Sequence, residues 1–393
     1  MFEALEPAAP DAIIGLISEY RDDPRDTKID LGIGVYRNSD GDTPVLSSVK
    51  QAERLLVKQQ TTKAYIGSAG PADFNAAMRD LAFAGSASHE RIAALQTPGG
   101  SGSLRVAAGV ILRARPGASI WFGAPTWANH VPLLGGAGLA MNEHPYYDPA
   151  TRGLDFDGML QALSEVPKGD ILLLHACCHN PTGVDPDESQ WRAIADVIVE
   201  RDLLPFVDMA YQGFATDLDS DAFIVRHLAE RVEEMVVCTS CSKNFGLYRD
   251  RVGALLFLTA NERTRDVVQS QANNFVRTLY SMPPDHGAAV VATILGDEQL
   301  HEEWLAELGE MRSRLQDMRT LLNDALGTAA PGHDFSHLVR ANGMFSFLGI
   351  STEQVERLKK DHGIYMVGSS RINVAGITSE NVAYLADSIA AVL

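Results

Sequence analysis

Short, almost uninterrupted apolar runs alternate along this chain with longer stretches whose apolar residues recur every three or four positions. ASIWFG (118–123), DILLLHA (170–176), LLPFVDMA (203–210), EMVVCTS (234–240) and VGALLFL (252–258) read as strands. Several are too apolar for a sheet with one wet face. GSLRVAAGVILRAR (102–115) and ESQWRAIADVIVERD (188–202) read as helices between them. The alternation predicts a mostly parallel sheet covered by helices on both faces, an α/β architecture. After residue 296 the pattern changes. DEQLHEEWLAELGEMRSRLQDMRTLLNDAL (297–326) predicts one long, charged amphipathic helix leading to a C-terminal α+β unit. That unit holds GMFSFLGI, a helix from Thr352 to His362 and a strand near SRINVAG.

A length of 393 residues exceeds one small core and points to two domains, or one large domain with a satellite. A formal charge of −18 with no basic tract argues against nucleic acid and anionic membrane surfaces. No apolar run approaches the roughly 20 residues needed to cross a bilayer. The N-terminus carries acids ahead of its apolar residues and no basic n-region, so no signal peptide is expected. The expectation is a soluble cytoplasmic protein. Cys177 and Cys178 are adjacent, Cys238 and Cys241 form a C-x-x-C, and His175 and His179 flank the first pair. A zinc or redox site is conceivable there, but no second C-x-x-C completes a four-ligand set. Small buried thiols in a reducing compartment account for them better.

In a sheet of this kind ligands bind beyond the carboxyl ends of the strands, so the residues after each run carry the chemistry. TPGGSGSLR opens a helix with Gly99, Gly100, Ser101 and Gly102. Backbone N–H groups there can approach an anion, and the helix end adds about half a positive charge. The spacing is that of neither a P-loop nor a dinucleotide fingerprint, so a single phosphate is the expected guest. Asn180 follows DILLLHA, while Asp208 lies inside LLPFVDMA with Tyr211 just beyond it. A carboxylate within a buried strand is costly unless it meets a cation or a donor. Lys243 follows EMVVCTS between Ser240, Ser242 and, further on, Arg251. An amine, a carboxylate, a phenol, an amide and a phosphate cup are the inventory that a pyridoxal phosphate site needs.

These segments together resemble the fold-type I pyridoxal-phosphate aminotransferases, in particular the aspartate and aromatic aminotransferase subgroup. The matching stretches run in the family's order from LGIGVYR and TTKAYIG through TPGGSGSLR, PTWANH, HACCHNPTG, DMAYQGF and SCSKNFGLYRDRVG to GMFSFLGI and SRINVAG. The resemblance implies a large domain, residues 46–300, with a seven-stranded-type sheet that binds the cofactor. Residues 1–45 would form an arm and part of a small domain, completed by 301–393. Lys243 is then the lysine that carries the cofactor as a Schiff base and later moves the Cα proton. Asp208 pairs with the pyridine nitrogen, His130 supports Asp208, and Trp127 stacks on the ring. Asn180 and Tyr211 meet the 3-oxygen, while Gly100, Ser101, Ser240, Ser242 and Arg251 form the phosphate cup. Tyr65 would reach a phosphate in the neighbouring subunit of a homodimer with shared active sites. Arg371 would clamp the substrate α-carboxylate, and Arg277 of the neighbouring chain the distal carboxylate. Gly34, Ile13 and Ile14 fall in stretches that close over substrate.

Departures from the family pattern concern specificity. Aspartate-selective members carry asparagines where Leu279 and Met282 stand here. Ser101 replaces a threonine, and Ala64 replaces a larger amide before Tyr65. Fewer amides around Arg277 and more apolar surface favour a ring, although Val35 and Thr43 look aspartate-type. The expectation is ping-pong transfer between an aromatic or dicarboxylic L-amino acid and a 2-oxo acid. Strict aspartate specificity is the alternative, and a lyase of the same cofactor is a more distant one. A regulatory protein on this fold would need a DNA-binding segment, which the acidic N-terminus does not supply.

Overall fold

Seven strands make the central sheet: β1 (Ile92–Pro98), β2 (Ser119–Ala124), β3 (Ala140–Pro145), β4 (Ile171–His175), β5 (Leu204–Met209), β6 (Met235–Ser240) and β7 (Val252–Leu258). This computed structural model describes residues 1–7 and 12–393, except the side chains of 12–14, so the expectation for Ile13 and Ile14 lies outside the described residues. The strand order is β1-β7-β6-β5-β4-β2-β3. Only β7 runs against its neighbours; the pairs among β2 to β6 are parallel. The five runs expected as strands are all present. β1 and β3 were not expected. β3 is a partly exposed edge reading AMNEHP, and the apolar start of β1 gives way to Gln96 and Thr97. Both polar groups are bonded inside the fold, Gln96 Nε2 to the Pro284 carbonyl at 2.6 Å and Thr97 Oγ1 to Ser103 Oγ at 2.6 Å.

β6 and β7 are buried at every residue, as a strand covered on both faces must be. Alternate side chains feed two separate cores. Ile171, Leu173, Phe206, Val236 and Leu255 pack on one side, whereas Leu172, Leu174, Val207, Val237 and Leu256 pack on the other. The first side is closed by α1 (Gly99–Ala114) and α2 (Glu262–Leu279). They approach so closely that a Cβ on Gly109 of α1 would lie 2.2 Å from the Phe275 ring of α2.

The long helix α3 (Glu298–Ala329) starts at an Asp297 side chain that accepts from Leu300 N–H at 3.0 Å. It buries Leu300, Trp304, Leu308, Met311, Leu315, Arg319, Leu322 and Leu326, one stripe at three- and four-residue steps against the second core. Beyond it, Phe345–Phe347 pairs antiparallel with Arg371–Asn373. The helix Thr352–His362 carries a Ser351–Gln354 capping box and ends at left-handed Gly363. Ile29–Asp30 pairs in parallel with Ile364–Tyr365, which ties the N-terminal segment to the C-terminal one. Substituting Gly109→Val should lower unfolding stability by about 1–3 kcal/mol, because two helices and an aromatic ring must move apart. An unchanged denaturation midpoint would show that Phe275 swings away freely.

Candidate active site

The carboxyl ends of β4, β5 and β6 and the N-terminus of α1 open into one cavity of about 220 Å³. At one end lie Gly100 and Ser101 in the first turn of α1, with Ser240, Ser242 and Arg251 across from them. Register puts Ser240 opposite Gly253, where the sheet and α1 nearly touch; a Cβ on Gly253 would stand 2.7 Å from the Gly99 carbonyl carbon. Ser242 N–H donates to Ser240 Oγ at 3.2 Å, and Arg251 Nη1 reaches Ser242 Oγ at 3.5 Å. Among the described residues no acid pairs with Arg251. Hydroxyls, a helix N-terminus and a guanidinium with no acid partner among the described residues, around glycines without Cβ atoms, fit a phosphate group.

Asp208 lies at the centre. Pairing of β4 with β5 sets His175 beside Asp208, and the Asp208 carboxylate bonds His130 Nε2 at 2.9 Å. Burial by itself would raise the Asp208 carboxyl. The His130 hydrogen bond and nearby positive charge, including the Lys243 amine, outweigh it and hold the group below its ordinary value. Thr126 Oγ1 joins His130 Nδ1 at 2.8 Å to His175 Nε2 at 3.0 Å. Burial pushes His175 down to about 3, so that ring is neutral. Trp127 stands edge-on to His130, with ring centroids 5.2 Å apart, and lines the cavity.

Lys243 enters from the turn after β6, its Nζ 4.6 Å from the centre of the Tyr211 ring. Burial lowers its amine to about 8, with Asp208 pulling upward and Arg251 downward. Burial likewise raises the Tyr211 phenol. At the far end Arg371 donates to the Gly32 carbonyl at 2.8 Å and approaches Asn180 Oδ1 at 3.5 Å. Its guanidinium lies 4.3 Å from the Phe345 ring, while its buried Nε has no partner. A cationic fork on the cavity wall is suited to a carboxylate. Gly34 lines the same wall, and a Cβ there would meet Phe345 at 3.1 Å.

Three expected residues do not line this cavity: His130 is fully buried behind Asp208, and Tyr65 and Arg277 lie elsewhere. Tyr65 is 92% exposed, and it shares a separate groove with exposed Arg277, Ser281 and Met282. Arg277 hydrogen-bonds Ser281, whose φ of +72° turns the chain after α2. Sequence reasoning passed over Thr126, Tyr248 and Phe345. Tyr248 OH accepts from Tyr36 N–H at 2.8 Å and holds the segment after the N-terminal strand near the cavity. PTWANH and GMFSFLGI already contained Thr126 and Phe345, but only the folded chain shows what they touch. His175 was considered only as a metal ligand. The four cysteines are free and buried. The atoms that could meet a metal come from Cys177, Cys178 and Asp221, without His175 or His179, and Asp221 already accepts from the N–H groups of Gly213, Ala215 and Thr216.

A doubly covered sheet with a lysine, a supported carboxylate and a phosphate cup at its carboxyl edge is the framework of a group-transfer enzyme. The family model "Aminotransferase class I and II" matches residues 26–389, and the chain belongs to this family. It is 46% identical over 396 residues to the aspartate aminotransferase of Escherichia coli, covering 100% of both chains. It is 47% identical over 386 residues to the aromatic-amino-acid aminotransferase of Pseudomonas aeruginosa, covering 97% of this chain and 96% of that one. Among solved structures, the aromatic-amino-acid aminotransferase of Burkholderia pseudomallei, covalently bound to pyridoxal phosphate, superposes with a TM-score of 0.97 at 41% identity. That match covers 100% of this chain and 99% of the other. The protein is a transaminase of fold-type I.

The lowered amine makes a prediction for the cofactor-free protein. The folded Lys243 value of about 8 lies below its ordinary 10.5. Between those values the unfolded chain binds more protons, so this group makes stability rise with pH across that window. Below it, the full penalty of a buried ammonium remains. Denaturant unfolding of the cofactor-free wild type and Lys243→Met across this range should show the rise in the wild type and its loss in the variant. Parallel curves would mean that the amine is not desolvated.

Proposed function

We propose that the chain exchanges amino groups between aromatic or dicarboxylic L-amino acids and 2-oxoglutarate, using pyridoxal phosphate. The observation that carries this reading is the convergence of Lys243, Asp208 and Arg371 on one cavity. The cofactor fits the donor set. Gly100, Ser101, Ser240, Ser242 and Arg251 would hold its phosphate, Asn180 and Tyr211 its 3-oxygen, Asp208 its ring nitrogen, Trp127 its face and Lys243 its aldehyde carbon. Pyridoxal phosphate, when bound, supplies a carbonyl for the amino group and a protonated ring that accepts the electron pair released at Cα.

The chain's own residues do the rest. Asp208, kept ionised by His130, favours a proton on the ring nitrogen. Arg371 grips the α-carboxylate and so orients the Cα–H bond for reaction. Lys243 Nζ would take the Cα proton and hand it to the carbon on the far side of the amino nitrogen. An amine lowered to about 8 is near neutral pH, where a general base works best. Tyr211 and Phe345 wall the cavity and keep water from it.

A homodimer completes the site. Tyr65 and Arg277 are exposed on the single chain and share one groove, as residues serving a neighbouring subunit should be. Leu279 and Met282 flank Arg277 with apolar side chains, which favours a ring in the distal position while the arginine still serves a carboxylate. Aspartate specificity alone is the second reading, favoured by the aspartate aminotransferases among the relatives. No helix among the described residues is long and apolar enough to cross a membrane. The free, buried cysteines suit the cytoplasm.

Lys243→Ala should abolish transamination, with borohydride labelling no other lysine; a labelled lysine elsewhere overturns the assignment. Asp208→Asn should retain cofactor yet slow Cα proton removal by orders of magnitude, and near-normal turnover would leave Asp208 a structural role. Arg277→Ala should cut kcat/KM for aspartate at least tenfold, since a lost charged hydrogen bond costs about 1.5–3 kcal/mol. Phenylalanine should be spared. Equal losses for both substrates would make Arg277 structural and remove the argument for dual specificity.

A further inference from the structure

The helix α3 touches the cavity nowhere, yet its buried stripe grips three of the segments that supply the candidate residues. Trp304 is fully buried and donates from Nε1 to the carbonyl of Asn244, the residue after Lys243, at 2.7 Å. Its ring lies parallel to that of Phe245, 6° from coplanar with centroids 4.3 Å apart. One side chain thus fixes the two residues that follow the lysine. One turn further along, Leu308 fills the space beside Gly213, where a Cβ would meet its Cδ2 at 2.5 Å. Arg312 Nη1 bonds the Gly213 carbonyl at 2.9 Å, two residues beyond Tyr211.

Arg319 is the third grip and the least ordinary one. It is completely buried within the apolar stripe, and among the described residues no acid pairs with it. Its fork instead donates to the carbonyls of Leu338, Asn342, Gly343 and Phe345 at 2.8–3.1 Å and to Ser346 Oγ at 2.6 Å. A buried cation is retained at such expense only where several acceptors need one planar donor. The loop it gathers is the one that presents Phe345 to Arg371 at 4.3 Å and, edge-on, to Tyr211 at 6.3 Å. The same loop presses on the Asn180 turn, since a Cβ at Gly183 would fall 2.2 Å from the Phe345 carbonyl oxygen.

We propose that Trp304 and Arg319 are positioning residues with separate duties: Trp304 sets the Lys243 turn and Arg319 sets the Phe345–Arg371 pair. One rigid helix then fixes the separation between the amine and the carboxylate clamp, its two grips standing roughly 22 Å apart along the axis at about 1.5 Å per residue. The inference rests on the roles given above to Lys243 and Arg371. Neither Trp304 nor Arg319 touches substrate, so each acts through the residue it holds. A general packing role would disturb both ends of the cavity together. Separate duties disturb one end at a time.

The test reads each end by itself. In the cofactor-free protein, the pH profile of Lys243 labelling by a small amine-reactive electrophile, followed by mass spectrometry, reports the amine. In the cofactor-loaded protein, calorimetric binding of 3-phenylpropionate, a carboxylate with no amino group to react, reports the clamp. Trp304→Phe keeps the ring stack and removes the hydrogen bond. It should shift the labelling profile and lower kcat while leaving 3-phenylpropionate affinity within about twofold, far less than the loss expected for a broken charged hydrogen bond. Arg319→Lys should weaken 3-phenylpropionate by about tenfold and raise KM for aspartate and phenylalanine alike, with the labelling profile unmoved. Ser346→Ala removes a single acceptor and should move affinity in the same direction by less, so the prediction survives an Arg319 variant that fails to fold. Variants that shift both readouts together, or neither, overturn the proposal. Arg371→Ala separates the two levels. If it leaves 3-phenylpropionate binding intact, the carboxylate assignment itself fails; if it abolishes binding that Arg319→Lys and Ser346→Ala leave untouched, only the present inference fails.

Discussion

The site depends on keeping one carboxylate ionised at the end of a strand that has no wet face. Moving an isolated charge out of water costs several kcal/mol, so a strand such as β5 can carry Asp208 only if the surrounding elements answer it. They do so from three directions. The segment after β2 brings His130 into a 2.9 Å hydrogen bond, Thr126 ties that imidazole to His175, and the turn after β6 brings the Lys243 amine. Parallel pairing makes this possible because it delivers the carboxyl ends of β2, β4, β5 and β6 to the same edge.

The same burial works in opposite senses on the partners. It pushes the Lys243 amine down to about 8, although Asp208 pulls it up. It holds His175 neutral at ordinary pH. A carboxylate that stays charged thus stands near an amine that readily loses its proton, two unlike groups at one centre. At the opposite end Arg371 remains charged, though burial lowers its value. Its Nε is buried without a partner. The cavity is therefore polarised before anything binds, with hydroxyls and a helix terminus at one end and a guanidinium at the other.

Around this centre the supporting structure divides between rigid and open parts. The end of the cavity at Ser240 is stiff because Gly100 of α1 and Gly253 of β7 leave no room for side chains against β6. The Phe345 loop is stiff because Arg319 satisfies four of its carbonyls at once. Tyr65 and Arg277, by contrast, stand in solvent on the single chain. Both lie in a groove apart from the cavity, so substitutions there leave the Lys243–Asp208 centre untouched.

The amino-acid sequence alone determined the sheet and most of the centre. Apolar runs bounded by small polar residues mark β2, β4, β5, β6 and β7 because a strand buried on both faces has almost nowhere to place a polar side chain. The same logic made Asp208 and Lys243 conspicuous, since a charge within or just beyond such a run must have a reason. β3 was invisible because an edge strand faces water and loses its apolar signature, and β1 because Gln96 and Thr97 interrupt its apolar run, with Gln96 finding its partner only at the distant Pro284 carbonyl. Tertiary structure alone decided the antiparallel direction of β7, the chain of contacts from Asp208 through His130 and Thr126 to His175, and the grip of Arg319 on the Phe345 loop. Each joins residues far apart in sequence, and no local pattern of side chains encodes which distant carbonyl a buried donor will meet. Arg319 shows the limit plainly. Its spacing from Leu315 and Leu322 puts it on the apolar stripe, and only folding shows which backbone carbonyls answer its charge.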